Sequence, residues 1–305
     1  MVPRLDAALI DARDPATMDA LRHAVEKVGF LTVHNTAILR ADIARVIEAY
    51  RAFFHLPDAE KRAVDMAQTG ANRGWGAQGA EQVDPAANPD YKQVFDSGFA
   101  LKADDPLRAQ NLSVYGDNLW PDVPGFRDVI EGYYAKALTV AMGLLRAIAA
   151  AIGEDEDHFD AAFTRPMALL RGNYYPPRPD WAAEKDFGIA AHTDYGCLTL
   201  LASDGVAGLE VLSADGSWSK VNAPIGDFVI NFGEMLEMWT AGRVKATLHR
   251  VIGTAEERIS VPLFFNPNHD TNVAPPGAGR VILAGDHMKK RFDETYLHLK
   301  KAARD

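Results

Sequence analysis

The sequence contains very little cysteine: one residue, Cys197, in a chain of 305. A single thiol excludes an intramolecular disulfide and is typical of a protein from a reducing cytoplasm, which is the location we expect. Cys197 lies three residues after Asp194 in a strand-like run, which indicates a core residue without a catalytic role.

Positive charge is in deficit as well, with 32 Lys and Arg residues against 42 Asp and Glu residues and a formal net charge of −10. This charge repels a polyanion such as nucleic acid on average, and the sequence has no basic run or aromatic stacking platform. Nor does it have a run of apolar residues near the ~20 that cross a bilayer, or a signal-peptide pattern at its start. We therefore expect a small-molecule substrate and no nucleic acid, membrane or obligatory protein partner.

The first part of the chain is helical in pattern. Asp14-Pro15 indicates the start of a helix that ends at Gly29, and residues 38–54 repeat the pattern. Apolar residues at helical spacing predict the longest helix over about 125–152. Between these helices, the Gly and Pro residues of 66–118 indicate loops and short strands.

From residue 167 onward, strand-like runs alternate with turn signals such as Asp204-Gly205 and Asp215-Gly216, which is typical of a double-stranded β-helix, or jelly roll. We predict the α+β class with a mainly β core, in one domain over 1–305. It comprises a helical and loop region over 1–120 and a jelly-roll core over 167–285, flanked by N-terminal and spine helices. A C-terminal helix over about 286–303 is expected to pack outside, with a solvated basic face of Lys289, Lys290, Arg291, Lys300 and Lys301.

Three residues of the β-rich part form a candidate metal site: His192, Asp194 and His249. In a strand, residues i and i+2 point to the same side, so His192 and Asp194 can reach one metal while Thr193 faces away. His249 lies in a β-branched run over 245–252 that also predicts a strand. Two histidines and one carboxylate can bind one face of iron(II) and leave the other open. On its own, a His-x-Asp pair also arises by chance.

Arg258 and Ser260 form a candidate carboxylate site nine residues after His249. They project to one face of a predicted strand, with Ile259 on the other. The planar guanidinium pairs bidentately with a carboxylate, and the serine hydroxyl can donate a further hydrogen bond. The alternative is a surface arginine paired with Glu256 or Glu257, but the apolar run after Arg258 indicates a buried strand.

A third segment ends in Asn173-Tyr-Tyr175 before two prolines. Asn173 and Tyr175 share a face of this strand, and either could donate a hydrogen bond to a ligand beside the metal. The alternative is that both residues only pack at the end of the strand.

Together these motifs resemble the isopenicillin N synthase-like branch of the iron(II)/2-oxoglutarate-dependent oxygenases. The matching segments are His192-Thr-Asp194-Tyr-Gly196, His249-Arg-Val251, Arg258-x-Ser260 and Asn173-Tyr-Tyr-Pro176. The resemblance continues near the start, in Val28-Gly-Phe-Leu-Thr-Val-His34 and Phe53-Phe-His-Leu-Pro57. The chain departs from the family where Arg178 replaces the plant-type cysteine, so the substrates of the plant enzymes do not transfer.

The resemblance implies a dioxygenase that oxidises, and most often hydroxylates, a small molecule with O2 and 2-oxoglutarate and releases succinate and CO2. Iron(II) would be held by His192, Asp194 and His249, with ascorbate as a candidate reductant. The C5 carboxylate of 2-oxoglutarate would meet Arg258 and Ser260, helped by Tyr175 and with Asn173 nearby.

Two alternatives remain open on the same scaffold. In a 2-oxoglutarate-independent oxidase of the isopenicillin N synthase or aminocyclopropanecarboxylate oxidase type, Arg258 and Ser260 would hold the carboxylate of the substrate itself. A non-catalytic ligand-binding protein would use the same pocket without chemistry. The predicted lining of the substrate pocket is Asn72, Arg73, Trp75, Tyr91, Lys92, Phe187 and Phe265.

Overall fold

Two β-sheets form the centre of this computed structural model, which describes residues 2–68, 71–182 and 187–295. The strands, in chain order, are β1 (Arg4–Asp6), β2 (Phe30–His34), β3 (Gly74–Gly76), β4 (Gln93–Gly98), β5 (Leu169–Tyr175), β6 (Ile189–His192), β7 (Leu198–Ser203), β8 (Leu209–Leu212), β9 (Trp218–Lys220), β10 (Phe228–Phe232), β11 (His249–Val251) and β12 (Arg258–Phe265). The larger sheet has the order β1-β2-β10-β7-β12-β5-β4-β3, and the smaller has β6-β11-β8-β9.

The two sheets face each other, as in the predicted jelly roll. Phe30 and Val229 of the larger sheet share a hydrophobic cluster with Leu209, Val211 and Val251 of the smaller one. Among the strands of the described residues, β1 pairs with β2 in parallel and the other pairs are antiparallel. The predicted turn at Asp215-Gly216 joins β8 to β9, and Gly216 has the positive φ of 83° that such a turn requires.

Strand alternation along β12 separates its first polar side chains from its core side chains. Along β12, Ile259, Val261 and Leu263 enter the main core, whereas Arg258 and Ser260 line a cavity between the sheets. The predicted division of faces is therefore correct, and it follows from the two-residue period of a strand.

The helices are α1 (Ala7–Asp11), α2 (Pro15–His23), α3 (Arg40–Phe54), α4 (Asp58–Lys61), α5 (Phe126–Ala151), α6 (Glu234–Trp239) and α7 (Ala284–Thr295). The side chain of Asp14 accepts a hydrogen bond from Thr17 N at 2.9 Å and caps α2, and a π-helical turn then leads to Gly29, whose φ is 74°. Both ends of this first helical segment match the prediction.

Helix α5 is the predicted spine, and it packs against α2, α3, β7 and β12. By length and composition alone it is also long and apolar enough to cross a membrane, although Lys136 and Arg146 interrupt its apolar residues. The core helix of a globular protein meets the same criteria of length and composition. The main core contains Ile130, Ala137, Ala141 and Leu145 of α5, as expected for such a helix.

Three local predictions are wrong, and one helix is found where none was predicted. Strand β6 ends at His192, so Asp194 lies in the turn that follows and not on the strand. Strand β11 covers only His249–Val251, and α6 follows β10 where no helix was predicted. Helix α7 does not pack outside: Met288, Phe292 and Thr295 line a cavity, and the predicted residues 296–303 lie outside the described ranges.

Candidate active site

His192, Asp194 and His249 converge between the two sheets. The register of β6 with β11 sets His192 directly opposite His249, and the turn after β6 brings Asp194 to the same point. Asp194 Oδ1 lies 3.8 Å from His192 Nε2 and 3.6 Å from His249 Nε2. Since one ligand atom from each of the three residues lies within 4.8 Å of the others, the group could hold a single metal ion.

Both imidazoles are oriented by backbone carbonyl groups. His192 Nδ1 donates to Ala190 O at 2.8 Å, and His249 Nδ1 donates to Thr247 O at 3.1 Å. A carbonyl oxygen can only accept, so each Nδ1 carries the proton and each Nε2 presents its lone pair to the other ligands. This arrangement of outer hydrogen bonds is typical of histidines that bind metals.

The carboxylate of Asp194 is oriented by two polar side chains that the sequence reasoning missed. Asn231 Nδ2 donates to Asp194 Oδ2 at 2.7 Å, and the hydroxyl of Thr199 donates to the same oxygen. Oδ1 therefore remains directed at the two histidines. Asn231 and Thr199 are opposite each other on β10 and β7, a pairing that the sequence does not reveal.

The turn that carries Asp194 rests on the start of α6. Glu234 N donates to Asp194 O at 2.8 Å, and Met235 N donates to Gly196 O at 3.1 Å. A Cβ on Gly233 would overlap with the backbone oxygen of Gly196, and one on Gly196 would overlap with the side-chain oxygen of Asn266. The two glycines are thus required for the close contact that fixes the position of Asp194.

The electrostatics of the cluster favour the protonation states that a cation needs. Burial and the neighbouring His249 lower the pKa of His192 to about 3, although Asp194 and the hydrogen bond with Ala190 act in the opposite direction, so its imidazole is neutral at physiological pH. Burial alone would raise the pKa of Asp194, but the two histidines and the hydrogen bonds from Thr199 and Asn231 outweigh it, and the pKa falls below its ordinary value.

A cavity leads from this cluster to Arg258. Arg258 is 4 % exposed; its Nε donates to Val206 O at 3.1 Å, and its guanidinium lies 5.1 Å from the centroid of the Tyr175 ring. Its Nη1 is buried and has no hydrogen-bond partner among the described residues. The alternative of a surface ion pair is wrong, because Glu257 pairs with Arg51 and His55 instead.

Asn173, Tyr175 and Ser260 line the same cavity, and cross-strand pairing sets Ser260 opposite Asn173 and Arg258 opposite Tyr175. Asn173 Nδ2 donates to Ser260 Oγ at 3.3 Å, while Asn173 Oδ1 is buried without a partner among the described residues. Rotation of the amide by 180° would exchange these roles, so Asn173 can offer either a donor or an acceptor to a ligand.

A second cavity opens on the other side of the cluster. Both cavities include His192, Asp194 and Asn173 in their lining, so the candidate metal site lies where they meet. The second cavity combines apolar side chains, among them Leu169, Phe264, Met288 and Phe292, with polar and charged ones, among them Glu81, Lys92, Arg171 and Tyr195.

The residues predicted to line the substrate pocket are divided between the second cavity and other places. Asn72, Arg73 and Lys92 line the second cavity, whereas Trp75, Tyr91, Phe187 and Phe265 do not. Phe265 faces the core against Phe163, and by strand alternation its neighbour Phe264 faces the cavity.

Arg291, which was predicted on the basic face of the C-terminal helix, is not on a solvated face. Its guanidinium lies 4.3 Å from the Tyr195 ring centroid and pairs with Glu234.

Comparisons of this sequence with known proteins agree on one family. A model of the 2OG-Fe(II) oxygenase superfamily matches residues 166–267, and a model of the N-terminal region of non-haem dioxygenases in morphine synthesis matches residues 2–123. The 2-oxoglutarate-Fe(II) type oxidoreductase hxnY of Emericella nidulans is 34% identical over 84% of this chain and 76% of its own length. A 2-oxoglutarate-dependent dioxygenase of Didymella fabae is 34% identical over 92% of this chain and 90% of its own length.

Solved structures with the same fold extend the comparison to bound cosubstrate. A full-length protein of Neurospora crassa, solved in complex with alpha-KG (2-oxoglutarate), is 27% identical with a TM-score of 0.84, and the match covers 96% of each chain. A 2OG-Fe(II) oxygenase family protein of Caulobacter crescentus also has 27% identity and a TM-score of 0.84, over 96% of this chain and 99% of its own. This chain therefore belongs to the 2-oxoglutarate- and iron(II)-dependent oxygenase superfamily and is a dioxygenase of that class.

Proposed function

We propose that His192, Asp194 and His249 hold the iron(II) ion and that Arg258 and Ser260 bind the C5 carboxylate of 2-oxoglutarate. The observation that carries this assignment is the buried guanidinium of Arg258, which lies in a cavity that ends at the three candidate ligands. Its Nη1 has no hydrogen-bond partner among the described residues. A buried cation with an unmet donor is costly, and a carboxylate in the cavity removes that cost.

The donor set fits both groups. Two neutral imidazoles and one ionised carboxylate suit iron(II), and the hydrogen bonds at each Nδ1 hold Nε2 ready to coordinate. At the other end of the cavity, Arg258 offers a planar fork, and Ser260 Oγ, which accepts from Asn173, keeps its own proton for donation to the carboxylate.

With iron(II) and 2-oxoglutarate bound, the site supplies O2-dependent oxidation of a C–H bond, with succinate and CO2 as the other products. The chain binds and orients the reactants. Asn231 and Thr199 hold Asp194, the two backbone carbonyls hold the histidines, and Arg258 sets the direction of the oxo acid. Burial between the sheets excludes bulk water from the reacting centre.

A small molecule is the substrate, and we propose that it occupies the second cavity, beside His192 and Asp194. The Neurospora crassa relative has been solved with thymine and with 5-formyluracil, which supports a small polar ring as the kind of molecule to test. We also propose that the protein is located in the cytoplasm.

The assignment can be tested with purified protein, iron(II) and 2-oxoglutarate, by measuring succinate and bound metal together. We expect the wild type to release succinate slowly without substrate, and His249→Ala to lose both bound iron and succinate formation. His55→Ala is the matched control, since His55 is half-exposed and pairs with Glu257 away from the cavity. If His249→Ala retained wild-type turnover of 2-oxoglutarate, the proposed ligand set would be wrong.

A further inference from the structure

Helix α7 packs on the turn of residues 193–196, which carries the candidate ligand Asp194 and which we call the metal turn. His287 Nε2 donates to the backbone oxygen of Tyr195 at 3.0 Å. One helical turn further along, the guanidinium of Arg291 lies 4.3 Å from the centroid of the Tyr195 ring. Two successive turns of α7 therefore hold the residue that directly follows Asp194.

Glu234, at the start of α6, joins α7 to the other side of the metal turn. Its Oε1 accepts a hydrogen bond from Arg291 Nη2 at 3.2 Å and another from the hydroxyl of Thr193 at 2.5 Å. Its backbone N–H donates to Asp194 O at 2.8 Å. Arg291 thus reaches the residue on each side of Asp194, one directly and the other through Glu234.

The same helix forms a wall of the second cavity. Met288, Phe292 and Thr295 of α7 lie in the lining of this cavity, together with Tyr195 of the metal turn. The hydroxyl groups of Tyr195 and Thr295 share a hydrogen bond at 2.5 Å, so the wall and the turn are joined at the cavity as well. A molecule that touches Met288 or Phe292 in the cavity therefore touches the helix that holds the metal turn.

Strand pairing ends before the metal turn, because β6 ends at His192. The side chain of Asp194 is held by Asn231 and Thr199, but the backbone of the turn is held by hydrogen bonds from α6 and α7. Without α7 in place, the turn has fewer contacts that select one conformation. Since only the fraction of molecules with Asp194 in position can bind the metal with all three ligands, a smaller fraction lowers the observed affinity.

We propose that Arg291 and Glu234 are positioning residues of the metal site and that, through them, closure of the second cavity by α7 and binding of the metal favour each other. Such a coupling is reciprocal: a helix that raises the affinity for the metal is itself stabilised by the metal to the same extent. This inference rests on the proposed function, because it takes Asp194 as a ligand of iron(II).

The first test replaces Arg291 by methionine, which keeps the apolar stem and removes the guanidinium. The side chains of Arg291 and Glu234 are 30 % and 33 % exposed, so the ion pair is weak, and the cation–π contact adds a second weak contribution. Affinity for iron(II), measured by anaerobic titration without 2-oxoglutarate, should therefore fall by about 3–10-fold. Arg291→Lys keeps a cation for Glu234 and should recover part of the loss.

Lys289→Met is the matched control for this substitution. It removes the same charge from the same helix, but Lys289 pairs with Asp293 of α7 itself, so the variant should bind iron(II) as the wild type does. Thermal denaturation checks that all variants fold.

The second test measures amide hydrogen exchange of the wild type by mass spectrometry, with and without iron(II) and under anaerobic conditions. Helix α2, which packs on α5 and β1, is the internal reference. We expect iron(II) to slow exchange in α7 about threefold or more relative to α2, because the coupling is reciprocal. This difference should shrink in Arg291→Met. A purely structural role of Arg291 would instead speed exchange in α7 and leave both the affinity for iron(II) and the response to it unchanged.

The outcomes separate this inference from the proposed function. If the wild type binds iron(II) but Arg291→Met and Lys289→Met bind it equally well, the positioning role is wrong and the assignment of the ligands stands. If the wild type does not bind iron(II) at all, the proposed function itself fails. Should Arg291→Met not fold, hydrogen exchange of the wild type alone decides, because an equal response of α7 and α2 to iron(II) overturns the inference.

Discussion

Replacement of Arg258 by methionine should separate the affinity for 2-oxoglutarate from the stability of the protein. Methionine keeps the length and the apolar stem but removes the guanidinium. A bidentate carboxylate pair contains two charge-assisted hydrogen bonds, each of about 1.5–3 kcal/mol, so the loss is about 3–4 kcal/mol at the lower end of that range. At about 1.4 kcal/mol per factor of ten, the dissociation constant for 2-oxoglutarate should rise by about 10²–10³-fold.

The stability of the ligand-free protein should respond in a different way. Arg258 Nη1 is buried without a partner among the described residues, so the buried charge contributes unfavourably to the free energy of folding. Because the substitution removes this contribution, the ligand-free variant should be at least as stable as the wild type. The measurements are isothermal titration with 2-oxoglutarate in the presence of metal, and urea denaturation without ligand. Arg250→Met is the control, because Arg250 lies on β11 beside His249 but pairs with Glu210 and stacks on Trp218 outside the cavity. A Kd for Arg258→Met within about threefold of the wild-type value would refute the reasoning.

Two further predictions concern the metal cluster. Asn231→Leu removes a donor to Asp194 Oδ2 and should weaken iron binding by about 10–100-fold with little change in fold. Metal titration measures the affinity, and circular dichroism checks the fold. Unchanged affinity would show that Asn231 does not orient Asp194. The metal-free protein should lose stability as pH falls from 6.5 towards 3. The unfolded chain protonates His192 at its ordinary pKa of 6.5, whereas the pKa of His192 in the folded protein is about 3. The lowered pKa of Asp194 acts in the same direction below pH 3.8. Urea midpoints across this range should fall for the wild type and less for His192→Gln, and a flat wild-type profile would contradict the burial of His192 as a neutral group.

The sequence predicted those parts of the fold that depend on local periodicity. The spine helix was expected over 125–152 and is found at Phe126–Ala151, because apolar residues at helical spacing continue without interruption between Gly125 and Gly153. Its buried residues stay in one stripe over the whole length, so local propensity and packing agree. The same agreement holds along β12, where Arg258 and Ser260 alternate with Ile259 and Val261.

Local pattern failed where long-range contact decides conformation or exposure. Arg291 and its neighbours have the composition of a solvated helix face, yet Arg291 stacks on Tyr195, because α7 folds back over the cavity. For Arg291 the missing information is therefore the position of a distant element. Phe265 is a different case, because the two-residue period from Arg258 and Ser260 already puts Phe264, and not Phe265, on the cavity side of β12.

By itself, the sequence determined which side chains are available for the chemistry: two histidines, an aspartate and an Arg-x-Ser pair. The reason is that ligand type, and for Arg258 and Ser260 the two-residue period of a strand, are local properties of the chain. Only the tertiary structure decided what surrounds that chemistry. Asn231 and Thr199 reach Asp194 across two strands, and Glu81, Lys92 and Arg171 meet in a buried wall from separate segments. These contacts exist because the sheets bring distant residues within hydrogen-bond distance, and no pattern within one segment encodes that proximity.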